Sequence, residues 1–315
     1  MKPIYIVAII SIVLNVLLMG FLTASNDNQR LAYFLSEKQE EFPFLSKRIF
    51  TENPNDLIIN FIPLRNKLRK YASDNPYRIG VYFEYLATGT SVGVNEKESF
   101  VPASLLKTPL AMSVFKSYEN KKITPNQILT LTDEEKDSRF GNLWKQKSGT
   151  KLTVNETIHQ LLIYSDNTAQ AMLLKLLSGV GADDVFDALD IPKTRDATAH
   201  PVVTAKNYSS ILRCLYLACY LTKENSNALL TILTKTMFND KLPAGVPPNI
   251  AVAHKIGVAE SSSSSSSVFT DCGIIYYPRR PYVLCVMIQS DEQRATEVIK
   301  NISKITYDFI HNQNL

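Results

Sequence analysis

Histidine and cysteine are scarce, with four of each among 315 residues. The histidines His159, His200, His254 and His311 stand at no ligand-like spacing, so neither a metal nor any other cofactor is expected. Cys214 and Cys219 lie five apart on an expected helix, where they point in different directions. Cys272 and Cys285 lie on the two strands of an expected hairpin. Neither spacing demands a disulfide, and the second pair is expected as buried free thiols. No cysteine lies near the N-terminus, which argues against a lipid-modified start. The chain also lacks any cluster of basic and aromatic residues. Its net charge of +4 is small and scattered, so nucleic acid is not an expected partner.

One stretch lacks charge altogether. From Pro3 to Leu22 there is no charged residue, Lys2 precedes it, and the run is long enough to cross a bilayer as a helix. It reads as an N-terminal anchor over residues 1–25. The alternative is a signal peptide cut after Ser25, with Thr23 and Ser25 as the small residues, although the apolar run exceeds what a signal core needs. Either way the rest of the chain is expected outside the cytoplasm, with the membrane as a partner if the segment is kept. Residues 26–55, polar and charged with scattered aromatics, read as a stalk. Residues 56–315, in a chain that is 45% hydrophobic and 20% charged, are long enough to bury one large core.

Within that domain the periodicity of apolar residues predicts the elements in order. Leu57, Ile58, Phe61, Leu64 and Leu68 recur at helical spacing between Asp56 and Tyr71. Two strands follow, Arg78 to Tyr85 and Gly89 to Val94, joined by a turn at Ala87-Thr88-Gly89. The chain then turns helical for over a hundred residues. Thr153-Val154-Asn155-Glu156 has the form of a capping box, and Ser165-Asp166-Asn167 separates two helices. A helix from Ala182 to Leu189 leads to a loop from Asp190 to Pro201 and a long helix from Ala205 to Leu221. Strands return at Ile250 to Val258, Val268 to Tyr277 and Tyr282 to Ile288, before a closing helix from Asp291 to Ile310. Strands at both ends with helices between them predict an α+β fold: one antiparallel sheet flanked by helices, an α/β/α sandwich, beside an all-helical lobe. The sheet lobe spans 56–103 and 250–315, the helical lobe 104–249. Ser261 to Ser267 are seven serines in a row, which bury no side chain. They read either as a flap beside the site or as a tolerated low-complexity insertion.

The chemistry is concentrated in Pro102-Ala103-Ser104-Leu105-Leu106-Lys107. A helix starting here places Ser104 and Lys107 on one face within hydrogen-bond reach. A serine hydroxyl is nearly inert at neutral pH, and a desolvated neutral lysine can take its proton. The spacing alone means little. Ser113 and Lys116 repeat it in a helix interior, where a serine bonds back to a carbonyl one turn earlier. Ser148 and Lys151 repeat it in a polar turn.

Company separates the first pair from the rest. Phe100-Val101-Pro102-Ala103-Ser104-Leu105-Leu106-Lys107, then Ser165-Asp166-Asn167-Thr168-Ala169, then His254-Lys255-Ile256-Gly257 on a strand, resemble the three ordered motifs of the penicillin-recognising serine hydrolases, most closely the class A β-lactamases. The resemblance runs from about Asp56 to the C-terminus. Ser73-Asp74-Asn75 and Lys147-Ser148-Gly149 are decoys, out of order and in the wrong setting. The resemblance implies the β-lactamase and transpeptidase-like fold and an acyl-enzyme on Ser104. It further implies Lys107 as proton acceptor, Ser165 as proton relay, Asn167 holding the substrate amide, and Lys255 supplying positive charge. The N–H groups of Ser104 and Val258, just after Gly257, would form the oxyanion hole. The substrate it implies is a β-lactam, with a D,D-peptidase acting on peptidoglycan stem peptides, or a β-lactam or muropeptide sensor, as alternatives.

Two departures stand out. The family's lactamases carry a glutamate in the loop before an Arg-Asp-Thr-like stretch, here Arg195-Asp196-Ala197-Thr198-Ala199. This chain has no glutamate between Glu156 and Glu224, so slow deacylation is expected. Asp187, Asp190 and Asp196 are the nearby carboxylates, and Asp196 is expected to pair with Arg195. Ile256 stands where the family has Thr or Ser, and a lost hydroxyl contact to a substrate carboxylate costs about 1 kcal/mol. Arg279, Arg280 and Arg294 are expected in turn and surface roles rather than at that carboxylate.

Overall fold

The computed structural model describes Phe44 and residues 59–179, 181–261 and 267–313. The expected anchor, the stalk apart from Phe44, and the middle of the serine run lie outside these residues. The described residues belong to one compact unit.

Helix α1, Ile62–Ser73, opens the catalytic part with a proline in its first turn and buries Leu64 and Leu68. Strands β1, Arg78–Tyr85, and β2, Thr90–Val94, form the expected hairpin, with Val81 opposite Val94 and Tyr85 opposite Thr90. After the two-residue strand β3, Ser99–Phe100, a 3-10 turn over Ala103–Leu106 leads into α2, Lys107–Glu119. The helical lobe continues through β4, Ile128–Thr130, β5, Lys151–Thr153, α3, Val154–Ile163, and α4, Asn167–Leu176. The capping box forms as expected, Thr153 Oγ1 accepting from Glu156 N at 3.1 Å and Glu156 accepting from Thr153 N at 2.7 Å. Helix α5, Asp183–Ala188, and strands β6, Thr194–Arg195, and β7, Pro201–Thr204, make the following segment. Helices α6, Ala205–Leu217, and α7, Lys223–Leu233, close the lobe.

Three long strands, β8, Val252–Ala259, β9, Val268–Ile275, and β10, Tyr282–Gln289, return to the sheet. Its order is β2-β1-β10-β9-β8, all antiparallel, so the chain's two ends meet at the β1–β10 pairing. Helix α8, Glu292–His311, capped by Asp291, lays Ala295, Val298, Ile299, Ile302 and Phe309 on one sheet face beside α1. Both faces of the sheet are covered, which explains why β9 and β10 are buried along almost their whole length rather than alternately. On the opposite face α6 is pinned by Arg213, whose Nη1 lies 3.1 and 3.0 Å from the two oxygens of buried Glu84. Phe44 packs its ring 4.9 Å from that of Tyr276 and accepts a 3.0 Å hydrogen bond from its hydroxyl.

Two expectations are corrected. The helix expected to reach Leu221 stops at Leu217, because Ala218 takes a left-handed conformation (φ 48°) and Cys219 N donates to Cys214 O at 3.0 Å. The reversal folds Cys219 over the last turn, and it bonds to Cys214 with their Cα atoms 5.1 Å apart. Thr222 then caps α7, a helix the sequence pattern did not separate. Cys272 and Cys285 are likewise not free thiols. They face each other directly in the β9–β10 register, 3.9 Å apart at Cα, and form a cross-strand disulfide.

Candidate active site

The site forms where the 3-10 turn, the α3–α4 junction and β8 meet. Pro102 and Ala103 deliver Ser104 to this seam, and Ala103 holds a left-handed φ of 46° that a non-glycine residue rarely adopts. Strand β8 approaches very closely: a Cβ on Gly257 would lie 2.5 Å from both Pro102 O and Thr270 Oγ1. Glycine is thus the residue that lets the strand reach the serine turn. Ser165, at the helix junction, is wholly buried and also left-handed, at φ 55°.

Lys107 Nζ lies 3.0 Å from Ser104 Oγ, 3.2 Å from Ser165 Oγ and 2.6 Å from Asn167 Oδ1, and in hydrogen-bond contact with Ser165 O. Burial pushes its pKa down to about 7, against the opposing pull of Asp166 and Asp137. Lys255 Nζ reaches the same Ser165 hydroxyl from the other side, at 2.8 Å, and Ile256 O at 3.1 Å. Its burial, and then the charge of Lys107, push its pKa well down as well. The result is one hydrogen-bonded line: Ser104, Lys107, Ser165, Lys255. A proton taken from Ser104 has a path to Ser165, and a desolvated amine stands at its start. The decoys stay apart, with Ser113 bonding back to Pro109 O at 3.2 Å and Ser148 contacting Asp133.

Asp166, unassigned in the sequence reading beyond its motif, holds this junction together. Its buried carboxylate accepts from Ala169 N at 3.0 Å as the cap of α4, and from Asn142 N and Leu143 N at 2.7 and 2.8 Å. Gly141, at φ +91°, leaves room for it, since a Cβ there would sit 2.1 Å from Asp166 Oδ2. The loop so anchored brings Phe140 over Lys107 Nζ at 6.0 Å, while Phe238 covers Lys255 Nζ at 5.9 Å, the two rings 5.6 Å apart. Neither phenylalanine stands out in the sequence, because nothing local marks them as neighbours.

Ser104, Asn167 and Val258 open on a cleft of about 720 Å³ whose walls include Asp137, Arg139, Phe140, Gln170 and Glu260. Asp137 is paired with Arg139, which holds its carboxyl well below the usual range. Ile256 is buried, 3% exposed, and offers no hydroxyl. The expected Arg195–Asp196 pair does not form. Arg195 ends β6 and donates to Ala199 O at 2.8 Å, while Asp196 opens the turn that follows and its carboxylate accepts from Thr198 N at 2.8 Å and His200 N at 3.0 Å. Asp187 is paired with Lys193 at 2.7 Å. Arg280 donates to Ile310 O at 3.2 Å and Arg294 pairs with Glu297, structural and surface roles as expected. Among the described residues no three His, Cys, Asp or Glu side chains group as a metal site.

A serine hydrogen-bonded to a buried lysine at the junction of a helical lobe and a five-stranded antiparallel sheet fits a serine hydrolase of the β-lactamase and transpeptidase-like fold. The model of the beta-lactamase enzyme family matches residues 63–310, and the chain belongs to that family. Beta-lactamase VEB-1 of Pseudomonas aeruginosa is 24% identical over 264 residues, covering 75% of this chain and 86% of that protein. Among solved structures, TLA-3 extended-spectrum beta-lactamase superposes with a TM-score of 0.74 at 20% identity, covering 80% of this chain and 99% of that one. A mutant of PBP-A caught as an acyl-enzyme complex with penicillin G superposes at 0.72 and 24% identity, covering 79% and 96%.

Proposed function

We propose that Ser104 attacks the amide carbonyl of a β-lactam, with neutral Lys107 taking its proton, and that the resulting acyl-enzyme is released slowly. Ser165 passes the proton to the leaving nitrogen, and Lys255 holds the Ser165 hydroxyl in line. The N–H groups of Ser104 and Val258 hold the developing oxyanion, and Asn167 and Gly257 shape the substrate channel. One observation carries the slow release. The carboxylates on the walls of the Ser104 cleft are Asp137, bound by Arg139, and Glu260, exposed at the end of β8. Neither is a buried base poised to activate water. A chromogenic cephalosporin tests this in one trace: a burst of one product per enzyme and then a slow steady rate is expected. A linear trace with no burst contradicts it.

The same absence favours a second reading, a D,D-peptidase that forms its acyl-enzyme from peptidoglycan stem peptides. Release of D-alanine from a D-alanyl-D-alanine peptide, lost in Ser104→Ala, identifies it. A sensor that stays acylated is the limiting case of no release at all.

The protein is further proposed to work outside the cytoplasm, held by the apolar run from Pro3 to Leu22. Two disulfides in the catalytic part support an oxidising compartment. Resistance of the membrane-bound protein to alkaline extraction, with digestion by protease added to spheroplasts, is the expected result. Recovery of the full chain from the cytosol would contradict it.

A further inference from the structure

Behind the cleft lies a second cavity of about 270 Å³, between α2, α4 and the segment 181–203. Its walls are largely apolar, with Leu106, Leu110, Phe186 and Val203 among them. Two residues, Gln170 and Leu174, line both this cavity and the Ser104 cleft. Of the two only Gln170 carries a hydrogen-bonding group. It is half-buried, and its side-chain amide makes no hydrogen bond among the described residues. It stands three residues after Asn167 on α4, so both side chains share the helix face that looks toward Ser104 and Lys107. A half-buried amide with no protein partner, set in the wall between the reactive serine and a small cavity, is suited to hold a water. An amide both donates and accepts, so it can orient that water, but it cannot take a proton from it.

Resting on the acyl-enzyme reading above, we propose that Gln170 is the positioning residue for deacylation: it orients the water that attacks the acyl group on Ser104. The water oxygen bonds to the acyl carbonyl carbon while its proton passes to the Lys107 amine. The bond from that carbon to Ser104 Oγ then breaks, and Lys107 returns the proton to Oγ. The product leaves as a carboxylic acid, and serine and lysine are restored. Orientation without a dedicated carboxylate base makes the step slow. It also predicts where a base would speed it, since a carboxylate at position 170 would stand in the water's place of approach.

The test follows penicillin acylation and adduct decay by intact mass in the full chain in detergent, for wild type, Gln170→Glu and Gln170→Leu, with melting temperatures as a control on folding. All three should still acylate, so that decay is read from a formed adduct. Decay should be about 10- to 100-fold faster in Gln170→Glu and about tenfold slower in Gln170→Leu. A purely structural role could not accelerate decay. Equal decay in all three proteins would overturn the proposal, as would a parallel loss of acylation and decay in both variants. If the wild-type adduct does not decay measurably, an equally persistent Gln170→Glu adduct overturns it too. No adduct on wild type would overturn the acyl-enzyme reading itself, an outcome distinct from the others.

Discussion

The protonation state of Lys107 sets how acylation depends on pH. Its amine can accept the Ser104 proton only when neutral, and burial brings its pKa down from 10.5 to about 7. With that value about half of the protein is competent at pH 7, about 90% at pH 8 and about 1% at pH 5. The second-order acylation rate should therefore rise tenfold per unit between pH 5 and about 6.5, bend near 7, and be flat above 8. Rapid-quench intact-mass spectrometry with a penicillin, from pH 5 to 9, measures it directly. Stability should move in the same direction. The unfolded chain holds more protons than the folded one between about pH 7 and 10.5, so stability rises with pH across that window. From pH 7 to 9 Lys107 alone contributes a gain of about 2 kcal/mol, and Lys255, shifted the same way, adds to it. Lys107→Met should remove its share of the slope along with acylation. An acylation rate unchanged from pH 9 to 5 would refute Lys107 as the base. A rate still rising tenfold per unit at pH 9 would refute its desolvation.

Three further outcomes follow from the packing. Asp166→Ala leaves Ala169, Asn142 and Leu143 N–H groups without their acceptor and should lower stability by about 3 kcal/mol or more in urea unfolding, with acylation falling as the junction loosens. Gly141→Ala, forced into φ +91° and against the Asp166 carboxylate, should show a lower melting temperature than wild type; an unchanged one would mean that the loop is not held as described. Arg213→Met strands the buried Glu84 carboxylate and should cost about 2–3 kcal/mol near pH 8, with much of the loss recovered in the Glu84→Gln, Arg213→Met double variant.

Where the sequence could be read, the information was local. The β1–β2 hairpin, the three returning strands and the capped helix α3 follow from apolar runs, a turn and a capping box within a few residues of each other. Ser104, Lys107, Ser165, Asn167 and Lys255 were legible because each sits in a short motif in a recognisable setting, and the structure brings all five together. What escaped depends on geometry between segments. The Cys272–Cys285 bond needs the β9–β10 register, and the Cys214–Cys219 bond needs the left-handed turn at Ala218. Strands of two to four residues such as β3, β6 and β7 exist only through their partners. The part played by Phe140, Phe238 and Gln170 appears only when α4, the 137–145 loop and the end of the helical lobe are folded against one another.

The central claim is a covalent acyl-enzyme on Ser104 that outlives its formation. An intact-mass time course of the protein with benzylpenicillin, run beside Ser104→Ala, tests it most directly. One adduct per wild-type chain, formed faster than it is lost, and none on the variant is the expected result. An adduct of the same mass on Ser104→Ala, or rapid hydrolysis of the drug with no adduct on the wild type, would contradict it.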